Sequence, residues 1–234
     1  MPGYSPVMST TAAEETKQRR IPGWLELVLL LVTALGLSLL IKTFFVQMFF
    51  VPSESMEPLL VKDDRILVQK MSYWKGDVQR GDVIVFRDPG GWLGPQPPLN
   101  PLQKALSTVG LYPTGGHLVK RVIGVGGDQV RCCDNEGHVT VNGVPLDETA
   151  YVKKGSTPSD RKFDVTVPEG RLWVMGDNRG NSEDSRYHQR LPGGGTISVD
   201  DVVGKVWAIV WPLSRFEVLQ RPATFEQKAL DGQG

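Results

Sequence analysis

Val139-Thr-Val-Asn-Gly143 is the stretch from which the fold can be read. An apolar–polar–apolar triplet is the period-two signature of a strand with one buried face. The Asn-Gly pair that follows is a strong hairpin signal, because the tight turn needs two residues with φ above zero. The strand pattern recurs outward in both directions. Arg65–Lys70, Asp82–Phe86 and Leu118–Ile123 precede it, and Phe163–Val167, Arg171–Met175 and Val202–Trp211 follow. Pro168-Glu-Gly170 separates two such runs and is expected to turn them in the same manner. The 26 glycines and 17 prolines suit a chain with many turns. The expected fold class is mostly β, an antiparallel-sheet architecture with few helices.

At 234 residues the chain can bury one sizeable core. Its formal net charge of zero gives no electrostatic reason to expect a nucleic-acid partner. The two cysteines, Cys132 and Cys133, are adjacent. A bond between neighbours strains the peptide joining them, so such pairs seldom join, and the sequence leaves the state of this one open. No histidine stands at ligand spacing from them, so neither a metal nor any other cofactor is expected.

Ahead of the strands lies a different kind of sequence. Residues 1–23 are polar and read as a flexible tail. From Trp24 to Ile41 the chain is predominantly apolar and carries one charge, Glu26, and after Lys42 the apolar character resumes through Val51. About 20 apolar residues cross a bilayer as a helix, so 24–43 is expected to be a transmembrane helix. Bulky Phe44, Phe45, Phe49 and Phe50 occupy the place where a removable leader would carry small residues, which favours an uncleaved anchor. Lys17, Arg19 and Arg20 before the span put the N-terminus in the cytoplasm and the rest outside. The boundaries that follow are a tail to 23, an anchor at 24–43, an extracytoplasmic β-rich region at 44–222 and a C-terminal tail at 223–234.

Three segments carry candidate chemistry. Pro52-Ser-Glu-Ser-Met-Glu-Pro58 brackets two serines with prolines, which stiffen the backbone that a nucleophilic hydroxyl needs. In Leu118-Val-Lys-Arg-Val-Ile123, strand alternation turns Lys120 the same way as Leu118 and Val122. An ammonium among apolar side chains loses hydration and its pKa falls, so it can serve as a base. The plain alternative is a lysine solvating an exposed strand face. Gly176-Asp-Asn-Arg-Gly-Asn-Ser-Glu-Asp-Ser-Arg186 is a dense polar loop behind a strand, able to orient such a lysine or simply to meet water.

In this order the three segments resemble the motifs of bacterial type I signal peptidases (leader peptidases), a resemblance that covers most of residues 24–211. It implies a membrane-bound serine endopeptidase that removes signal peptides from exported preproteins, cutting after Ala-x-Ala sites through a Ser/Lys dyad. By position, Ser55 matches the nucleophile and Lys120 the general base. Ser53 matches the oxyanion-hole hydroxyl, and Ser182 the serine that bonds the lysine. Asp184 with Arg186 matches the pair that keeps the site's shape, with Asp177 in support. The implied partners are preproteins and the lipid bilayer, the implied location the cell membrane. Two residues depart from the pattern: Glu54 where glycine is common, and Gly180 where aspartate is frequent.

Other readings compete. A histidine could replace the lysine, His188 being the nearest to a motif, ahead of His117 and His138. The chain could also be an inactive membrane-tethered scaffold with the same fold. Residues 88–117, rich in Gly and Pro, are expected to form a long loop with a short helix at 102–109. Trp92 and the leucines of that stretch are candidates for bilayer contact, a tolerated surface insertion being the alternative.

Overall fold

The computed structural model describes residues 22–44, 46–70, 77–94, 100–101 and 116–231, with backbone alone for 39–44. Lys17, Arg19 and Arg20 and the helix expected at 102–109 lie outside the described residues. The chain divides into two compact units, Met1–Leu40 and Ile41–Gly234. Helix α1 (Gly23–Phe44) carries exposed apolar side chains from Trp24 to Leu37, and the run Leu27–Val32 winds through more than a full turn. Among the described residues, no helix is long and apolar enough to cross a membrane.

Among the described residues, the second unit holds twelve strands: β1 (Val46–Phe50), β2 (Arg65–Gln69), β3 (Val83–Arg87), β4 (His117–Val125), β5 (Gln129–Cys132), β6 (Val139–Val141), β7 (Val144–Pro145), β8 (Phe163–Thr166), β9 (Arg171–Met175), β10 (Ile197–Ser198), β11 (Val202–Trp211) and β12 (Glu217–Val218). They form an eight-stranded sheet in the order β1-β2-β11-β3-β4-β9-β10, with β12 on β11, and a four-stranded sheet in the order β7-β6-β5-β8. All pairs are antiparallel, as the alternating runs imply. Asn142 and Gly143, at φ 52° and 80°, make the expected tight turn between β6 and β7.

Strand β3 shows why the large sheet is stable. Val83 and Val85 face a cluster with Met56, Leu60, Ile66 and Val206, while Ile84 and Phe86 face another with Leu118, Val122 and Val174. A strand covered on both faces reads as a continuous apolar run, which Val83–Phe86 is. A third cluster joins the small sheet, through Val130 and Val141, to Ile123, Trp173 and Met175.

Three expectations need correction. Pro168-Glu-Gly170 does not close a hairpin. Strand β8 pairs with β5 and β9 with β4, so the two strand pairs form one ribbon that passes from the small sheet to the large. The crossing is stitched by Gly127 N–H to Val167 O and Val167 N–H to Asp128 O, at 2.9 and 2.8 Å. Cys132 and Cys133 are joined by a disulfide. Trp92 is 6% exposed, which removes it from any bilayer surface. The Asp88 carboxylate accepts the N–H groups of Gly90, Trp92 and Leu93 and curls the chain, so that the indole stacks on His188 at 4.4 Å and meets Phe86 edge-on. In residues 223–231, Phe225 and Leu230 are buried, and Leu230 O accepts Asn142 Nδ2.

Candidate active site

Ser55 lies in the connection between β1 and β2. The connection is anchored by what it buries: Val51, Met56 and Leu60 enter the core, while Ser53 and Glu54 between them stay exposed. Its base is closed by Val51 N–H to Asp64 O and Asp63 N–H to Val51 O. From across the site, Asn178 N–H donates to Ser55 O at 3.1 Å and Asn178 Nδ2 to Glu54 O at 3.0 Å. The serine backbone is thereby held from both sides.

Lys120 sits opposite Ile84 in the β3–β4 ladder. Both faces of β4 are covered, so the exposed-lysine alternative fails: Lys120 is 4% exposed. Its Nζ lies 2.7 Å from Ser55 Oγ. Burial pushes its pKa down to about 8, against the upward pull of Asp184 and Asp177. That pull is weakened because each carboxylate is taken by an arginine. Arg121 grips Asp177 through Nε and Nη2 at 2.8 and 2.6 Å, and Arg186 grips Asp184 through the same atoms at 2.8 Å each. Two fork-shaped pairs keep acids near the amine without leaving either acid free to hold its proton. A buried amine next to a buried hydroxyl is the arrangement for base-assisted nucleophilic attack.

The polar loop 176–186 folds around Asp184. Its Oδ2 accepts Gly176 N–H at 2.9 Å and Ser182 Oγ at 2.8 Å, and Oδ1 accepts Arg186 N–H at 3.2 Å. Ser182 therefore bonds Asp184, and the bond expected from it to Lys120 is not formed among the described residues. Ser53 Oγ stands 3.3 Å from Ser55 Oγ, on the exposed side. Glu54 carries its carboxylate toward Asn181 Nδ2 at 3.4 Å, and Gly180 faces open space. His188 is committed to Trp92, and His117 lies against Phe49 at 5.4 Å. Among the described residues, the side chains bonded to Ser55 Oγ are Lys120 and Ser53.

The residue reading missed Gly176 and Asn178. A methyl group on Gly176 would overlap Ser182 Oγ and the Ser55 carbonyl oxygen, so this glycine is where the loop presses on Ser55. The only signal for it was its place directly after an apolar strand.

The family model described as "Signal peptidase, peptidase S26" matches residues 24–211. The chain is 40% identical to a probable signal peptidase I of Mycobacterium leprae (strain TN), over 89% of this chain and 85% of that one. It is 42% identical to signal peptidase I of Mycobacterium tuberculosis (strain ATCC 25618 / H37Rv), over 83% and 75%. Signal peptidase I U of Bacillus subtilis (strain 168) is 30% identical, over 84% and 91%.

Proposed function

The chain belongs to the signal peptidase family, peptidase S26, and from that membership we propose that it removes signal peptides from exported preproteins as a serine endopeptidase, with Ser55 as nucleophile and Lys120 as general base. One observation carries the assignment: the 2.7 Å contact between Lys120 Nζ and Ser55 Oγ, both groups being buried. Neutral Lys120 takes the Ser55 proton as Oγ bonds to the scissile carbonyl carbon. The oxyanion that forms is held by the Ser55 N–H and the Ser53 hydroxyl. Lys120 then passes its proton to the departing amine. A water molecule, deprotonated by Lys120, attacks the acyl ester, and Lys120 returns the proton to Ser55 Oγ as the ester bond breaks. Asp177 with Arg121, and Asp184 with Arg186 and Ser182, hold the amine's surroundings in shape. The preferred cut follows Ala-x-Ala.

The bilayer is the second partner in this reading. Supporting it are the apolar, exposed side chains of α1 and, separately, the outer face of the large sheet, where Met48, Phe50, Trp207 and Trp211 are each about half exposed. Residues 24–43 are the anchor, with the N-terminus cytoplasmic and residues 44–222 outside.

Full-length protein in detergent, incubated with a preprotein, is expected to release a mature chain whose new N-terminus follows a small residue. Ser55→Ala is expected to lower the rate by on the order of 10^4-fold or more. Wild-type cleavage by Ser55→Ala would refute the assignment, and no cleavage by either protein would favour the inactive scaffold.

A further inference from the structure

A group of buried charges lies beside the reacting pair and takes no part in the proton transfers. Its carboxylate is Glu148, in the connection between β7 and β8. Glu148 Oε1 accepts Arg179 Nη2 at 2.5 Å and the Tyr151 hydroxyl at 2.8 Å, and Oε2 accepts Arg179 Nη1 at 2.9 Å. The Arg179 side chain is 1% exposed and that of Glu148 9%. Arg179 also donates from Nε to Gly176 O at 3.0 Å and from Nη1 to Pro158 O at 2.8 Å. Two guanidinium groups lie over the Tyr151 ring, Arg121 at 4.6 Å and Arg179 at 5.9 Å from its centroid.

This set touches the nucleophile through the backbone. Gly176, whose carbonyl Arg179 holds, bears directly on the Ser55 carbonyl and on Ser182. Asn178, the neighbour of Arg179, donates its N–H to Ser55 O. We propose that Glu148 is a positioning residue for cleavage: by fixing the Arg179 guanidinium it sets the backbone of residues 176–179, against which Ser55 is kept in reach of Lys120. The inference rests on the Ser55–Lys120 reading above. Its physical basis is that a buried guanidinium cannot stay in place without a counter-charge. With Glu148 neutralised, the next carboxylate to attract Arg179 is Asp177, which already holds Arg121, the neighbour of Lys120. The disturbance would then reach both halves of the reacting pair.

The test is a double-mutant cycle on full-length protein in detergent, with kcat and KM for a preprotein measured separately and per folded molecule. Glu148→Gln is expected to lower kcat on the order of 10- to 100-fold, the loss that follows a displacement of about 1 Å, with KM within about threefold. Arg179→Gln is expected to do the same, and the double variant to be no slower than Arg179→Gln alone. Wild-type kcat in Glu148→Gln, or losses that multiply in the double variant, would overturn the inference. If Glu148→Gln alone does not accumulate folded, the Glu148→Gln/Arg179→Gln pair, which leaves neither charge buried without its partner, takes its place, and wild-type kcat there overturns the inference. Ser55→Ala and Lys120→Ala run alongside. Turnover by either defeats the dyad itself, whereas inactive controls beside a fully active Glu148→Gln defeat only the role of Glu148.

Discussion

Burial lets Lys120 release its proton near pH 8, where an unburied lysine would hold it to 10.5. The neutral, working fraction therefore grows as pH rises toward about 8 and saturates above it. We expect kcat/KM to climb about tenfold per pH unit below this point and then level off, measured by initial rates between pH 5.5 and 9.5. A profile flat across that range would remove Lys120 as the base. The same shift has a sign for stability. Between about 8 and 10.5 the unfolded chain binds this proton and the folded one does not, so this group's contribution to stability rises with pH there. Gly176 offers a second prediction. Gly176→Ala is expected to lower kcat on the order of 100-fold, because its methyl would displace Ser55, whereas Gly180→Ala, pointing into open space, is expected to leave the rate near wild type. Rates of the two variants side by side check it. Strand alternation set Lys120 on one face with Leu118 and Val122, but only the resemblance singled it out, since whether that face was dry depends on the layers packed over β4. Glu148 gave no such sign, because its partner Arg179 lies in a different segment brought near only by the fold.

Among the elements, the long alternating runs were legible, and β2, β3, β4, β6, β8, β9 and β11 fall where those runs lie. Strand β1 was hidden because its apolar residues continue the apolar run before it, leaving no change of character to read. Strands β7, β10 and β12 have two residues each, too few for any period to register. The turn at Pro168-Glu-Gly170 was visible as a break but its partner strand was not, since pairing partners are chosen by the whole ribbon. Trp92 was misread for a related reason: a tryptophan in a Gly- and Pro-rich stretch carries no mark of the carboxylate that curls it inward. Trp92→Ala is expected to cost about 3 kcal/mol, or roughly 10 °C in melting temperature, with no change in binding to lipid vesicles. Calorimetry and vesicle flotation check the two halves, and weaker vesicle binding would mean that the indole reaches lipid after all.

On the scale of the molecule, the order of strands in the large sheet bears on when activity arises. The pair β1–β2 carries the Ser55 connection and the pair β3–β4 carries Lys120; β11 is the strand that lies between these pairs and hydrogen-bonds to both. Every residue proposed for the site lies before residue 187, yet the strand that unites the two halves begins at Val202. A chain ending at residue 200 is expected to lack cleavage activity altogether, assayed on the same preprotein, although it holds every group proposed to react. Activity in that truncated chain would show that the halves align unaided. For a nascent chain the consequence is one of timing: a ribosome that has made the serine, the lysine and the polar loop has not yet made a protease. On that expectation the newborn molecule stays idle until residues 202–211 have been made and have paired with β2 and β3.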